Sequence, residues 1–451
     1  MVQHLRARLL ALGSFTLLSA VASAQDTAAA TAPAMDKADE AWMIVATALV
    51  LLMTPALALF YGGMVHKKNV LNTMLMSFLM MGVMSILWVF VGYSIAFGKT
   101  DNGFFGNPME FFMGKGISTS ESYPYAAMTI PNALFCLFQM KFAIITPALI
   151  SGAIAERVRF RGYLILTVLW SLLIYCPLAC WVWNPNGWLC KLGALDFAGG
   201  TVVHLASGIS ALALVMVLGK RKNLTPPPNN ITLTLLGGGL LWVGWFGFNA
   251  GSALSIGDLA VNAFLTTHLA AAAGMLAWLL AEKLKSGKMT AIGGASGLVA
   301  GLVGITPAAG FVDIGGSVVI GLVVGVVCYL GIQLKHKAGY DDALDVVGVH
   351  GIGGLTGAIL TGALATTAVN NAITKGALEN GRMALILKQL TACGATIAFA
   401  FIGTYALSLL VSKTIGLRTS EETEDRGLDE VVHGESGYGF EDPTGRPLTH
   451  A

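Results

Sequence analysis

Apolar stretches of bilayer-spanning length, about eleven of them parted by short charge-bearing loops, leave this chain few folds to choose from. Approximate cores run Trp42 to Tyr61, Thr73 to Phe97, Ala126 to Ile150, Gly162 to Trp183, Gly199 to Leu218 and Thr232 to Gly251. They continue at Leu259 to Ala281, Ala291 to Thr306, Gly316 to Leu334, Val346 to Thr366 and Met383 to Val411. In hydrocarbon every backbone N–H and C=O must find a partner within the chain, so runs of this length become helices. The chain is 55% hydrophobic and only 12% charged, where a soluble protein carries roughly 25% charge. Its 55 glycines suit helices that pack closely where lipid tails give no hydrophobic reason to associate. The expected fold is an all-α polytopic membrane protein.

Residues 1–24 carry Arg6 and Arg8, then an apolar stretch from Leu9 to Leu18, then Ala22-Ser23-Ala24. That order marks a signal peptide, because the apolar stretch falls well short of the ~20 residues a span requires. The expected layout is a signal peptide at 1–24, a short polar periplasmic segment at 25–40, a transmembrane domain at 41–412 and a cytoplasmic tail at 413–451. An odd number of spans with the N-terminus outside puts the tail inside, and loop charge agrees. The predicted inner loops hold Lys67 and Lys68, then Arg157, Arg159 and Arg161, then Lys220 to Lys222, Lys283 to Lys288, and Lys335 with Lys337. The polar tail after Arg418 has no apolar periodicity and reads either as solvated or as docked on the cytoplasmic face. A net charge of +2 without a long basic run excludes a nucleic-acid partner. The six cysteines form no CxxC pair, and all but Cys190 sit in apolar runs where they read as small buried hydrophobes.

Two motifs recur. Asp196-x7-His204 is echoed by Asp342-x7-His350, and Ile145-Thr146-Pro147-Ala148 by Ile305-Thr306-Pro307-Ala308. Each pair lies five helices apart, an odd number, so the second copy enters the membrane from the opposite side. The result is an inverted repeat with a site expected at the midplane. Ionisable residues inside apolar spans are costly and mark pathways, which singles out His204, His268 and His350. His204 and His350 occupy corresponding repeat positions, and two neutral imidazoles facing each other can share one N–H. His268 has no counterpart and reads as structural. Asp196 begins a span, so it either caps that helix or lowers the potential for a cation at the outer mouth, and both can hold. Asp342 would be its cytoplasmic counterpart. The aromatic groups around Phe142, Trp183 and Phe248 are belt or core by composition, although a ring face attracts a desolvated cation by ~2 kcal/mol.

Four segments in order resemble signatures of the ammonium transporter (Amt/Mep/Rh) family, in its bacterial Amt branch. They are Phe138-Gln139-Met140-Lys141-Phe142-Ala143, Leu195-Asp196-Phe197-Ala198-Gly199-Gly200-Thr201-Val202-Val203-His204, Gly247-Phe248-Asn249-Ala250-Gly251-Ser252 and Asp345-Val346-Val347-Gly348-Val349-His350-Gly351. The likeness runs from about Trp42 to the tail segment Arg426-Gly427-Leu428-Asp429. It implies eleven helices in two inverted five-helix halves plus a final helix, N-terminus out and C-terminus in, assembled as a homotrimer in the inner membrane with one pore per subunit. It further implies an outer ammonium site at Trp183, Phe142 and Ser252, a gate of Phe142 over Phe248, the histidine pair His204 and His350, and Asp196 as the buried acid. Trp188 competes with Trp183 for the outer site, and Lys141 has no assigned role.

The function expected is uptake of ammonium without a cofactor or enzymatic turnover. The cation is recruited and deprotonated, ammonia is conducted, and the proton passes by the histidines. An intramembrane metalloenzyme would need a third close-spaced ligand, and no HExxH or similar spacing is present. The alternative is an ammonium sensor or regulated complex acting through PII-type signalling proteins, which the resemblance implies as cytoplasmic partners.

Overall fold

The computed structural model describes residues 34–438, so the expected signal peptide lies outside the described residues. Among the described residues ten helices are long and apolar enough to cross a membrane: α1 Lys37–Met64, α2 Lys67–Phe97, α3 Asn132–Ile154, α4 Phe160–Leu192, α5 Gly200–Leu218, α6 Ile231–Ala253, α7 Asp258–Ser286, α9 Ile314–Lys335, α10 Val347–Leu364 and α11 Gly381–Thr414. The expected eighth span is helical but short. The 15 residues of α8, Ala291–Ile305, reach about 22 Å at 1.5 Å per residue, less than the ~30 Å hydrocarbon core. A short helix, α12, covers Glu421–Arg426, and a π-helical turn follows at Asp429–His433. Among the described residues there is no strand, only an isolated bridge between Val158 and Arg418.

Local chemistry sets the helix starts. Asp36, Asn230, Thr290 and Asp313 each accept a backbone N–H of the first turn of α1, α6, α8 and α9. The start of α3 falls at Asn132 rather than Ala126, because Pro131 occupies the cap position with an extended ψ of 148°.

The packing follows the repeat. α1 lies along α6, and α5 lies against α10, so the equivalent helices of the two halves meet each other near the middle. Close approach needs small residues. A Cβ on Gly237 of α6 would lie 2.4 Å from the backbone nitrogen of Phe60 in α1. The outward faces carry Ile44, Ile86, Leu276 and Ile402, each at least 60% exposed, as a lipid-facing surface requires.

One end of the bundle is closed by a buried ionic cluster. Arg221 makes a two-pronged contact with Asp341 at 3.0 and 2.9 Å and reaches Glu156 at 2.6 Å. Arg157, fully buried, donates to the carbonyls of Gly219 and Asp341. The tail docks on the same end. Lys68 donates to the carbonyl of Glu424 at 2.8 Å, and Lys222 pairs with Asp425 at 2.5 Å. His433 sets its ring edge-on to Phe160, with centroids 5.0 Å apart. Of the two readings left open for the tail, docking describes the described part.

Candidate functional site

Both repeat histidines sit where an α-helix is locally unwound into a wider turn. His204 lies in the π-helical segment Gly200–Leu205 and His350 in Val347–Ile352, and each then continues as an α-helix. Such segments are rare and concentrate at functional sites. Each is capped by its repeat aspartate. Asp196 Oδ1 accepts the N–H groups of Gly199 and Gly200 at 2.7 Å, while Oδ2 accepts those of Thr201 at 2.7 Å and Val202 at 3.3 Å, and the Thr201 hydroxyl as well. Asp342 accepts from Val346 at 3.1 Å and Val347 at 2.7 Å. These caps satisfy backbone donors that have no partner within their own helix.

The imidazoles meet edge to edge, with Nδ1 of His204 3.2 Å from Nδ1 of His350 and the rings inclined by only 19°. One N–H fills that distance, so one ring donates and the other accepts. Both are buried, and His204 Nε2 has no hydrogen-bond partner. Trp245 lies nearly parallel to His204 with centroids 5.3 Å apart and donates its own N–H to Thr306 at 2.9 Å. A cavity of about 40 Å³ runs along this pair, walled largely by Leu57, Ile145, Leu149, Val299 and Phe248, with Asp345 also at its wall. That is room for a few water-sized molecules and no hydration shell.

Phe248 closes the cavity on the other side. Its ring is 4.3 Å from that of Phe142, both fully or almost fully buried. Above Phe142 lies a second cavity of about 150 Å³, lined by Phe142, Trp183 and Ser252 together with Gln139, Tyr123 and Phe197. The edge-on contact of Phe142 and Trp183 measures 5.6 Å. Ser252 donates to the carbonyl of Phe248 at 2.8 Å, which leaves its oxygen lone pairs for a donor. Trp183 is held by its N–H on the carbonyl of Asp196 at 3.1 Å. The chain folds tightly here because Gly199 has φ +118°, and a Cβ there would meet Val203 at 2.5 Å and the Trp183 ring at 3.3 Å.

The residues expected to form a route fall in one order across the two cavities: Trp183 and Ser252, Phe142, Phe248, His204 and His350. Asp196 borders this route through its backbone, while its carboxylate faces the cap of α5. Trp188 stands apart, packed on Phe104 and Trp181. His268 is outside the route too, exposed on α7 and parallel to Trp242 at 5.1 Å. Lys141 is buried beside Met140, its nitrogen 3.9 Å from the sulfur, and lines neither cavity. Among the described residues no His, Cys, Asp or Glu group could hold a metal ion.

Two residues escaped the sequence reading. Gln389 of α11 grips the loop before α5, accepting from Leu195 N–H at 2.7 Å and donating to its carbonyl at 2.8 Å. Gln139 was quoted within a motif but given no role, yet it lines the outer cavity. An amide inside an apolar run is the same signal that selected the histidines.

Known proteins resemble this chain over most of its length. Residues 41–438 match the model of the Ammonium Transporter Family. The ammonium transporter of Bacillus subtilis is 50% identical over 406 residues, covering 90% of this chain and 99% of that protein. That of Aquifex aeolicus is 47% identical, covering 90% and 94%. Among solved structures, Mep2 of Saccharomyces cerevisiae superposes with a TM-score of 0.79 at 38% identity over 86% of this chain and 88% of that one. A protein described as a sensor Amt protein gives 0.79 at 28% identity over 88% and 98%. Matched by that family model over residues 41–438 and by relatives 47–50% identical over nearly their whole length, this chain belongs to the ammonium transporter family and is a multi-pass membrane protein that transports ammonium.

Proposed function

We propose that ammonium is recruited at Trp183, Phe142 and Ser252, gives up a proton, and crosses the Phe142–Phe248 gate as ammonia while the proton travels by His204 and His350. The observation that carries this reading is the sequence of environments along one line: aromatic faces and a hydroxyl, then two phenylalanine rings in contact, then two imidazoles 3.2 Å apart. Magnitudes favour deprotonation. Taking lysine's pKa of ~10.4 as the scale, removing the proton at pH 7 costs about 4–5 kcal/mol. Carrying an unpaired ion through apolar surroundings costs tens of kcal/mol. Potassium has no proton to give up and no N–H to direct at Ser252, so the gate rejects it.

The same reading places the chain in the cytoplasmic membrane as a homotrimer, with residues 41–412 as the transport domain, 25–40 in the periplasm and the tail at the inner face. Regulation by a PII-type protein at that face is the natural extension, supported by the ionic cluster and docked tail gathered there. The test is current from purified protein in liposomes on a solid-supported membrane, challenged with ammonium, methylammonium and potassium. Ammonium-specific current, lost or no longer selective in His204→Ala with His350→Ala, supports the scheme. An internal pH change without current makes the path one for neutral ammonia alone. Neither signal would move the chain to the sensor reading.

A further inference from the structure

The contact between the two histidines depends on glycines placed one helical turn after each. Gly208 follows His204 by four residues, and a Cβ there would lie 2.1 Å from the backbone nitrogen of Gly351 and 3.0 Å from the carbonyl carbon of His350. Gly354 follows His350 by the same spacing. A Cβ on it would lie 2.7 Å from the carbonyl oxygen of Gly200, 2.8 Å from the nitrogen of Leu205 and 3.1 Å from Cβ of His204. Each glycine thus receives the backbone that carries the opposite histidine. We infer that Gly208 and Gly354 are a reciprocal pair of positioning residues that set the spacing of His204 and His350, an inference that rests on the proton route proposed above for its functional meaning.

Glycines sit at many helix crossings in this bundle, so packing alone must be weighed against this role. What distinguishes the pair is what a methyl group would strike. At both sites the nearest atoms are main chain of a histidine-bearing segment, which no rotamer change can move aside. Ordinary carbon contacts need about 3.5–4.0 Å. Alanine at 208 therefore parts the segments by more than about 1 Å, and alanine at 354 by somewhat less. The ring nitrogens, 3.2 Å apart, then fall outside hydrogen-bond range, which ends near 3.5 Å. The symmetry of the arrangement matters because both rings are fixed by one crossing. Widening it from either side has the same consequence.

The experiment compares Gly208→Ala, Gly354→Ala and Gly321→Ala. Gly321 serves as the packing control, since a Cβ there would lie 2.4 Å from the carbonyl oxygen of Ala270, equally tight but between α7 and α9, which line neither cavity. The ring ¹⁵N resonances of His204 and His350 are recorded in the folded, monodisperse fraction, and ammonium current is measured per folded molecule. The expected result is histidine signals displaced from wild type in the two pore variants and unchanged in Gly321→Ala. Current should fall by about a hundredfold in Gly208→Ala and less in Gly354→Ala. Unchanged histidine signals in folded pore variants, or signals equally displaced in Gly321→Ala, overturn the positioning role. Displaced signals with full current uphold the positioning role and sink the proton route instead. Should Gly208→Ala fail to fold, Gly354→Ala decides by the same criteria.

Discussion

Asp429, near the end of the chain, accepts the backbone N–H groups of Leu71 and Asn72 at 3.0 and 2.8 Å, and so caps a helix that begins more than 350 residues earlier. The residue placed to do this locally, Asn69, has its side chain otherwise engaged. It accepts from Leu428 N–H at 2.9 Å and donates to Glu156 at 3.2 Å. Replacing Asp429 by alanine is expected to cost about 1 kcal/mol and to speed amide exchange selectively in the first turn of α2. Asp429→Asn, which keeps one acceptor, should lose less. Hydrogen exchange by mass spectrometry reads both.

The ionic cluster makes the protein acid-sensitive in a defined window. Burial raises the Asp341 carboxyl, but the Arg221 hydrogen bond and the charges of Arg157 and Arg221 outweigh it and hold Asp341 below its ordinary 3.8. A depressed carboxyl contributes stability that is complete above its unfolded pKa and is lost as pH falls through the folded one. The melting temperature should therefore fall as pH drops below about 4, and Asp341→Asn should blunt that dependence. Arg221→Met leaves Asp341 and Glu156 buried with too little positive charge and should cost about 3–5 kcal/mol by thermal unfolding in detergent.

At the outer cavity, Trp183→Leu removes one ring face from a partly desolvated cation. A loss of about 1–2 kcal/mol corresponds to a rise of roughly 5- to 30-fold in the ammonium concentration giving half-maximal current. Trp188→Leu, whose ring packs on Phe104 and Trp181, should leave that concentration near wild type.

The roles left open for Asp196 separate by measurement. Asp196→Asn turns an amide N–H₂ toward donors now satisfied by Oδ2, from Thr201 and Val202. The expected cost is about 1–3 kcal/mol in thermal stability. A raised half-saturation concentration at unchanged melting temperature would instead assign the carboxylate a field effect on the cation.

The spans were legible because lipid demands continuous apolar helices, and the histidines because ionisable groups are conspicuous there. Trp183 and Trp188 were not separable by pattern. Both flank a corner fixed by Asn184, whose amide binds the carbonyls of Ala96 and Gly98 at 3.2 and 3.0 Å, and that tertiary contact turns Trp188 away. The π-helical turns were illegible for a related reason. Their wider ladder is sustained by a crossing partner, with Gly208 and Gly354 making room, and no local propensity encodes a partner met 146 residues later.

The near-equivalence of the two histidine-bearing segments bears on direction. Each has its aspartate cap, its π turn and its glycine, so the proton route proposed above would present matching backbone to a proton from either side. A symmetric joint cannot rectify. What differs lies around them: Trp245 stacks on His204 alone, an aromatic cup stands on one side, and on the other the Lys335–Asp345 ion pair lies beside the narrow cavity. Any bias between import and leak is thus a property of those unequal surroundings under concentration and voltage, and the paired backbone at the middle of the molecule serves either traveller alike.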